Sequence, residues 1–412
     1  MLKASFQHCP SSLRFHLLDL HKLYVTLKMS DIEKAITSVN NSELAFCKFL
    51  SANDTGKTGG HQCGIYISKP AIRILFDEPG KKGTNKDKFV TIHWMDNQTT
   101  DSRFIYYGRG TRNEYRITNF GRGFPYLKPN FIGSLFVLTV SPSEKYEGFI
   151  IDNDEDIQSF LSAFAISATE TNTLIKDNRT SILSVYDEIL AIIKPINDFP
   201  DSKTMSKTAR EIFAKSNHSS FSVDDEIIEW IDTEFKLYRA LEDKVYLPKI
   251  VSGFSSVNDF EALAAQLMNR RKSRAGKSLE NHLEEIFCES NIDFETQVRT
   301  EGNKTSDFVF PSSKAYHDPE FPVDKIITLG AKTTCKDRWR QVLNEANRVR
   351  NRQKFLCTLQ QGISEPQLNE MEFEKLTLVV PKKYIPSYPR AYQDKIWTIE
   401  KFIDFVKKAE AK

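Results

Sequence analysis

The sequence predicts two folds in one chain, a mainly β amino-terminal half and an α/β carboxyl-terminal half. Three observations carry this. Between Phe49 and about Val140, short apolar stretches alternate with Gly, Asn and Thr, the pattern of strands separated by turns. From about Ser202, long helical periodicities are interspersed with a few strand-like runs, the mixture of an α/β core. A chain of 412 residues also exceeds one average domain.

Residues 1–28 read poorly as part of either half. They are either an extension upstream of a natural start at Met29 or an ordinary flexible tail. MSDIEKAITSV, from Met29, opens a helix. GIYISKPAIRILF, FVTIHW, RFIYYGRG, YRITNFG and SLFVLTV then read as short strands of a compact barrel or sandwich, within a domain over residues 29–170. Residues 171–201 read as a linker that ends in the polar turn Asn197 to Asp201. In residues 202–412, SLENHLEEIFCE places Leu279, Leu283, Ile286 and Phe287 on one helix face, with Ser278 or its neighbour as the cap. DFVFP, KIITLGAK and KLTLVV read as strands, and TIEKFIDFVKKAE as a closing amphipathic helix.

Composition excludes several classes. The apolar fraction of 40% and charged fraction of 27% are those of an ordinary globular protein. No apolar run approaches the ~20 residues of a membrane helix. The apolar stretch Phe15 to Leu27 is broken by Asp19, His21 and Lys22 and lacks a small-residue cleavage site, so a secretory signal is not expected. Six scattered cysteines without a CxxC pair imply reduced thiols in a cytoplasm. The formal charge of +2 is nearly neutral, so any nucleic-acid argument rests on local clusters.

The most informative segment runs from Glu280 to Glu345. Asp307 opens an apolar strand, Lys332 ends another, and Glu345 follows thirteen residues later within an expected helix. Such residues suit phosphodiester hydrolysis. The scissile phosphate is already anionic, so attack requires a divalent cation, and carboxylate oxygens suit magnesium. A nearby ammonium stabilises developing charge. Taken singly, each acid reads equally as a solvated surface carboxylate. Lys332 is different, because it ends a strongly apolar run.

NRRKSRAGKSLENHLEEIF, TEGNKTSDFVFPSSKAYHDPEFPV and AKTTCKDRWRQVLNEANRV resemble the catalytic domain of EcoRII-type restriction endonucleases, within the PD-(D/E)xK nuclease superfamily. The resemblance implies a restriction-endonuclease-like α/β fold with Asp307 as central metal ligand, Lys332 as catalytic lysine and Glu345 as a second metal-binding acid displaced onto a helix. Glu280 matches an additional acid on the preceding helix, while Ser306 stands where the superfamily often has proline.

Lys336, Asp337 and Arg338 follow the catalytic strand. Lys and Arg donors match guanine O6 and N7, and a carboxylate accepts from cytosine N4. The resemblance implies that this triplet reads the GG half of a CC/GG site. Asp337 equally suits the N-cap of the following helix. Arg270, Arg271, Lys272, Arg274 and Lys277 pack five positive charges into eight residues, either as phosphate contacts or as a solvated basic turn. AGKS at Ala275 to Ser278 is not a nucleotide-binding loop, because Arg271 occupies the required glycine position.

FLSANDTGKTGGHQCGIYI and RFIYYGRGTRNEYRITNFGRG resemble the effector domain of the same enzymes, a DNA-binding pseudobarrel. Residues 101–128 hold six basic residues against two acidic ones. Arg112, Glu114 and Arg116 alternate and would share one strand face, where they suit guanine–cytosine–guanine readout or form a plain surface charge pair. The resemblance transfers His61, Arg103, Arg112, Glu114 and Arg116, with Lys57 in the glycine-rich segment beside His61. Gly110 and Tyr115 stand where EcoRII has basic residues.

The resemblance therefore implies a bacterial, cytoplasmic, magnesium-dependent homodimer that cuts double-stranded DNA at a CC/GG site such as CCWGG. It implies a cognate DNA cytosine methyltransferase, no nucleotide cofactor, and an effector domain that binds a second DNA copy and otherwise covers the cleft. A DNA-binding regulator with a silent nuclease domain and a structure-selective repair nuclease are the rival readings.

Overall fold

The structure is a computed structural model and describes residues 29–56, 64–177, 187–216 and 221–410. The amino-terminal half opens with helix α1 (Asp31–Asn41). Ser30 caps it through a reciprocal box with Glu33, as the sequence SDIE allows. An eight-stranded sheet follows, built from β1 (Leu44–Phe49), β2 (Ile65–Ile67), β3 (Lys86–Trp94), β4 (Thr99–Tyr107), β5 (Glu114–Thr118), β6 (Leu135–Val140), β7 (Tyr146–Ile151) and β8 (Thr173–Asp177). Its order is β2-β5-β4-β3-β7-β6-β1-β8. Only β3 and β7 pair in parallel.

One face of this sheet closes on its own core, with Phe46, Ile65, Ile92, Trp94, Phe104, Ile117 and Phe136 converging from six strands. The stretch GIYISKPAIRILF is less regular than expected. Pro70 has no N–H for a ladder, and a 3-10 turn over Lys69–Ile74 replaces the strand after Ile67. Helix α2 (Asp154–Ala163) lies between β7 and β8 and starts on the Asn153 cap. Residues 171–201, expected as a linker, contribute β8 to the sheet and helix α3 (Asp187–Ile193) to a helical cluster with the next half.

That half continues with α4 (Ser202–Ser216), α5 (Val223–Val251) and α6 (Val257–Glu289). A five-stranded sheet then forms from β9 (Glu295–Arg299), β10 (Thr305–Phe310), β11 (Ile327–Lys332), β12 (Lys354–Thr358) and β13 (Leu376–Val379), in the order β13-β12-β11-β10-β9. Between its strands lie α7 (Ser313–His317), α8 (Trp339–Val342) and α9 (Glu365–Phe373), and α10 (Ile399–Glu410) ends the described chain.

Phe287, Phe308, Phe310, Phe355 and Phe402 pack α6 and α10 on one face of the sheet. Trp339, Leu356, Leu368, Met371 and Leu378 cover the other. The result is a three-layer α/β unit, and the chain combines it with the mainly β sheet of the amino-terminal half. Ala45, Cys47 and Phe49 on β1 and Ile157 and Phe160 on α2 belong to the same buried cluster as Phe287 and Phe308. Apolar packing therefore runs unbroken across the boundary between the halves.

Helix α6 spans 33 residues, ~50 Å at the helical rise. Ser278 lies inside it, not at a cap, since Ser256 caps the helix, and the Ser278 hydroxyl donates to the buried Glu234 at 2.9 Å. The AGKS stretch is likewise inside the helix and offers no phosphate-cradling loop. Among the described residues, no helix is long and apolar enough to cross a membrane, and Cys47, Cys288, Cys335 and Cys357 are free thiols.

Candidate active site

Asp307 sits on β10, next to the edge of the five-stranded sheet, and Lys332 ends the central strand β11 beside it. Lys332 Nζ lies 2.8 Å from Asp307 Oδ2, and the Ala331 N–H donates to the same oxygen at 2.8 Å. Lys332 Nζ is also 3.8 Å from Glu345 Oε1. A lysine placed at the end of an apolar strand thus meets two acids, each largely shielded from water.

Close approach of α8 to β11 helps bring Glu345 there. A Cβ at Gly330 would stand 2.7 Å from Val342, so glycine lets α8 settle on the strand. Glu345 is not on a helix, contrary to the expectation. α8 ends at Val342, and Glu345 occupies a bend three residues further on. Local hydrogen bonds outcompete helix propagation: Thr300 Oγ1 donates to the Glu345 carbonyl, and Glu301 accepts the N–H groups of Asn347 and Arg348, each at 2.9 Å. The Tyr316 hydroxyl donates to Glu301 at 2.6 Å. Thr300, Glu301 and Tyr316 thus shape the site, and no sequence pattern singled them out.

Burial pushes the Glu345 carboxyl up to about 7, a rise that the Lys332 ammonium opposes and the Asp307 carboxylate reinforces. Its Oε2 is buried without a hydrogen-bond partner. An orphaned carboxylate oxygen beside a second carboxylate fits a hard divalent cation, which takes oxygen ligands and retains several waters. Among the described residues, no three His, Cys, Asp or Glu side chains form a complete metal cage. A cation here would therefore draw part of its shell from water or substrate.

Glu280 on α6 joins the group indirectly. Its Oε2 accepts from Lys277 Nζ at 2.7 Å and from the Gln297 amide at 2.9 Å, and the same amide reaches Asp307 Oδ1 at 3.2 Å. All four acids and bases expected at the catalytic centre are thus brought together, with Gln297 as an additional member.

The triplet Lys336, Asp337 and Arg338 faces the amino-terminal half. Lys336 is 4% exposed, pairs with Asp152 and donates to Ser134 Oγ at 2.6 Å. Burial lowers its pKa, and Asp152 opposes that shift. Asp154, at the start of α2, accepts the N–H groups of Asp337 at 2.8 Å and Arg338 at 2.9 Å. A side-chain hydrogen bond to Asp154 pushes the Asp337 carboxyl up to about 6, with burial adding to the rise. Asp337 is not the helix cap, since Arg338 holds the N-cap position without a side-chain bond.

The basic cluster does not form one solvent-facing patch. Arg274, expected on phosphate, is buried instead, 3.6 Å from Glu234 and stacked between Phe235 and Tyr238. A guanidinium can occupy this position because a carboxylate and two ring faces replace its water. Glu234 also accepts from Ser206 and lies 2.8 Å from His282 Nε2. Arg271 pairs with Glu242 and donates to the carbonyls of Ser162 at 3.0 Å and Ala163 at 2.8 Å, at the end of α2. Arg270 stacks on Phe199 at 4.3 Å, Lys277 pairs with Glu280, and Lys272 is exposed. A 140 Å³ cavity between the halves is lined by Gln158, Lys272, Thr333, Thr334 and Arg338, room for a few water molecules.

In the amino-terminal half, Glu114 and Arg116 lie on β5 and pair at 3.4 Å, with Arg116 also donating to the Gly64 carbonyl at 3.0 Å. Arg116 is only 8% exposed. Arg112 precedes the strand and stacks on Tyr107 at 5.1 Å. Arg103 on neighbouring β4 pairs with Asp87 at 2.8 Å. Lys57 and His61 lie outside the described residues.

Comparisons with known proteins agree with this division. A family profile described as "EcoRII C terminal" matches residues 238–403, and one described as "Restriction endonuclease EcoRII, N-terminal" matches residues 39–169. The chain is 37% identical over 382 residues to the type II restriction enzyme EcoRII of Escherichia coli, covering 87% of this chain and 92% of the relative. It is 28% identical over 137 residues to the type II restriction enzyme SsoII of Shigella sonnei, covering 29% of this chain and 44% of that protein. Among solved structures, metal-depleted Ecl18kI with uncleaved, modified DNA matches with a TM-score of 0.41 and 19% identity, over 54% of this chain and 83% of that one. The chain belongs to the EcoRII family of type II restriction enzymes.

Proposed function

We propose that this chain is a magnesium-dependent site-specific nuclease that cuts double-stranded DNA at a CC/GG sequence such as CCWGG. The observation that carries the reading is the convergence of Asp307, Lys332 and Glu345 around one ammonium. Asp307 and Glu345 would hold the cation, which when bound supplies charge neutralisation at the scissile phosphate and an acidified water. Lys332 presents its ammonium where negative charge grows on the phosphate. Glu345 Oε2 is the open acceptor of the site, able to take a proton near neutrality.

Residues 202–412 form the nuclease in this reading, residues 29–170 the effector, and residues 171–201 the connection. Lys336, Asp337 and Arg338 read bases once freed, while Arg103, Arg112, Glu114 and Arg116 serve the second DNA copy. The contacts of Asp152 and Asp154 with the triplet support a closed, inhibited state. Cutting both strands requires two active sites, hence a homodimer. Leu247, Ile250, Val251, Val257 and Phe260 line the solvent-exposed tip of the α5–α6 hairpin and offer an apolar surface to the second copy. A cytosine methyltransferase would protect the host's own sites.

Digestion of plasmid DNA with magnesium, followed by sequencing of the ends, tests the assignment. A fixed cut at CC/GG sites is expected. Intact plasmid, or ends without a common sequence, would overturn it.

A further inference from the structure

Gln297 lies on the edge strand β9 directly across from Asp307, flanked by the pairs Val298–Ser306 and Thr296–Phe308. Its φ is +52°, in the left-handed region that a non-glycine residue adopts at a cost. A specific contact accompanies that conformation. Gln297 Nε2 donates to Glu280 Oε2 at 2.9 Å and to Asp307 Oδ1 at 3.2 Å. Both acceptors are carboxylate oxygens, so the amide nitrogen must face them.

We propose that Gln297 is a positioning residue that fixes Glu280 and Asp307 for the cleavage reaction. The inference rests on the reading of Asp307, Lys332 and Glu345 as the cleavage centre. Asp307 Oδ2 is already taken by the Ala331 N–H and Lys332, and the Gln297 amide holds the remaining oxygen. Glu280 otherwise pairs with Lys277, whose side chain is 44% exposed and gives weak restraint. A donor shared between two carboxylates offsets part of their mutual repulsion and lets them stand close. It also sets which oxygens remain for a cation or for substrate.

The test uses full-length Q297G with D307A, K332A, E280A and the E280A/Q297G double variant. Glycine is at ease at φ +52°, so Q297G keeps the backbone and removes the side chain that carries the amide. Q297G should melt no lower than wild type and bind specific duplex in calcium with unchanged Kd. Its single-turnover cleavage in magnesium should fall ~10- to 100-fold, as for other groups that orient metal ligands. Calorimetric titration of calcium into the protein–duplex complex should show weaker cation binding. The double variant should cleave no more slowly than E280A. Wild-type cleavage and cation affinity in Q297G would overturn the proposal, as would full additivity with E280A. A lowered melting temperature or lost duplex binding would make Gln297 structural, and would overturn it too. Wild-type cleavage by D307A or K332A would bring down the reading of the site itself, apart from Gln297.

Discussion

Asp154 and Asp337, 183 residues apart in the chain, meet across the boundary between the halves, where Asp154 Oδ2 accepts the Asp337 N–H at 2.8 Å. Their carboxyl groups also interact, and the Asp337 carboxyl is pushed up to about 6 by its hydrogen bond to Asp154. In this arrangement, the closed state of the proposed reading, Asp337 thus holds its proton more tightly than a free carboxyl does. By linkage, the contact is at full strength below the ordinary carboxylate range and fades as pH climbs through about 6. Duplex binding by full-length protein should therefore strengthen between pH 5 and pH 8. Asp154→Ala should flatten that dependence and raise cleavage of single-site plasmid. A wild-type profile in the variant would remove Asp154 from the closing contact.

Lys332→Ala and Asp307→Ala should each slow cleavage ~100-fold or more, because in the proposed reading Asp307 holds the cation and Lys332 meets the charge that grows on the phosphate. Duplex binding in calcium should persist, since neither residue reads sequence. Gel-shift and single-turnover cleavage assays on the same preparations separate the two effects.

Arg274→Ala should destabilise the fold and not simply loosen DNA. Breaking a buried ion pair costs about 3–5 kcal/mol, and here Glu234 also supports His282, Ser206 and Ser278. Thermal melting should fall by more than ~5 °C. Lys272→Ala, at an exposed position, should leave melting unchanged while weakening DNA binding and its salt dependence.

The apolar hairpin tip gives a separate prediction about assembly. Val251 and Val257 are 77% and 71% exposed in the single chain. Val251→Asp with Val257→Asp should convert the proposed dimer to a monomer in sedimentation velocity without lowering the melting temperature of the remaining fold. Unchanged sedimentation would place the dimer contact elsewhere.

The strands that carry Asp307 and Lys332 were legible because strand patterning is local, whereas the role of Asp307 came only from the family resemblance. Glu345 was legible as a residue but not as a place. Its bend is imposed by Thr300 and Glu301, about 45 residues earlier in the chain. Arg274 reads as a surface cation, since only the fold brings Glu234, Phe235 and Tyr238 around it. The triplet after β11 carries a chemical signature of base reading, yet its occupation by Asp152 and Asp154 depends on tertiary contact. The mainly β half was legible from alternation over β2 to β6, except where Pro70 converts strand to 3-10 turn, while β1, β7 and β8 lay outside the stretches read as strands.

Helix α6 holds Arg271 against the end of α2 and Glu280 beside the catalytic carboxylates, nine positions apart on one rigid rod. That separation is 2.5 turns, ~13.5 Å. A helix this short between two anchors bends little. On withdrawal of the amino-terminal half, Arg271 would lose the Ser162 and Ala163 carbonyls but keep Glu242 on α5, so that point of the rod would stay anchored. Glu280 would then keep its alignment whether or not the halves part, which makes α6 a fixed strut and not a lever.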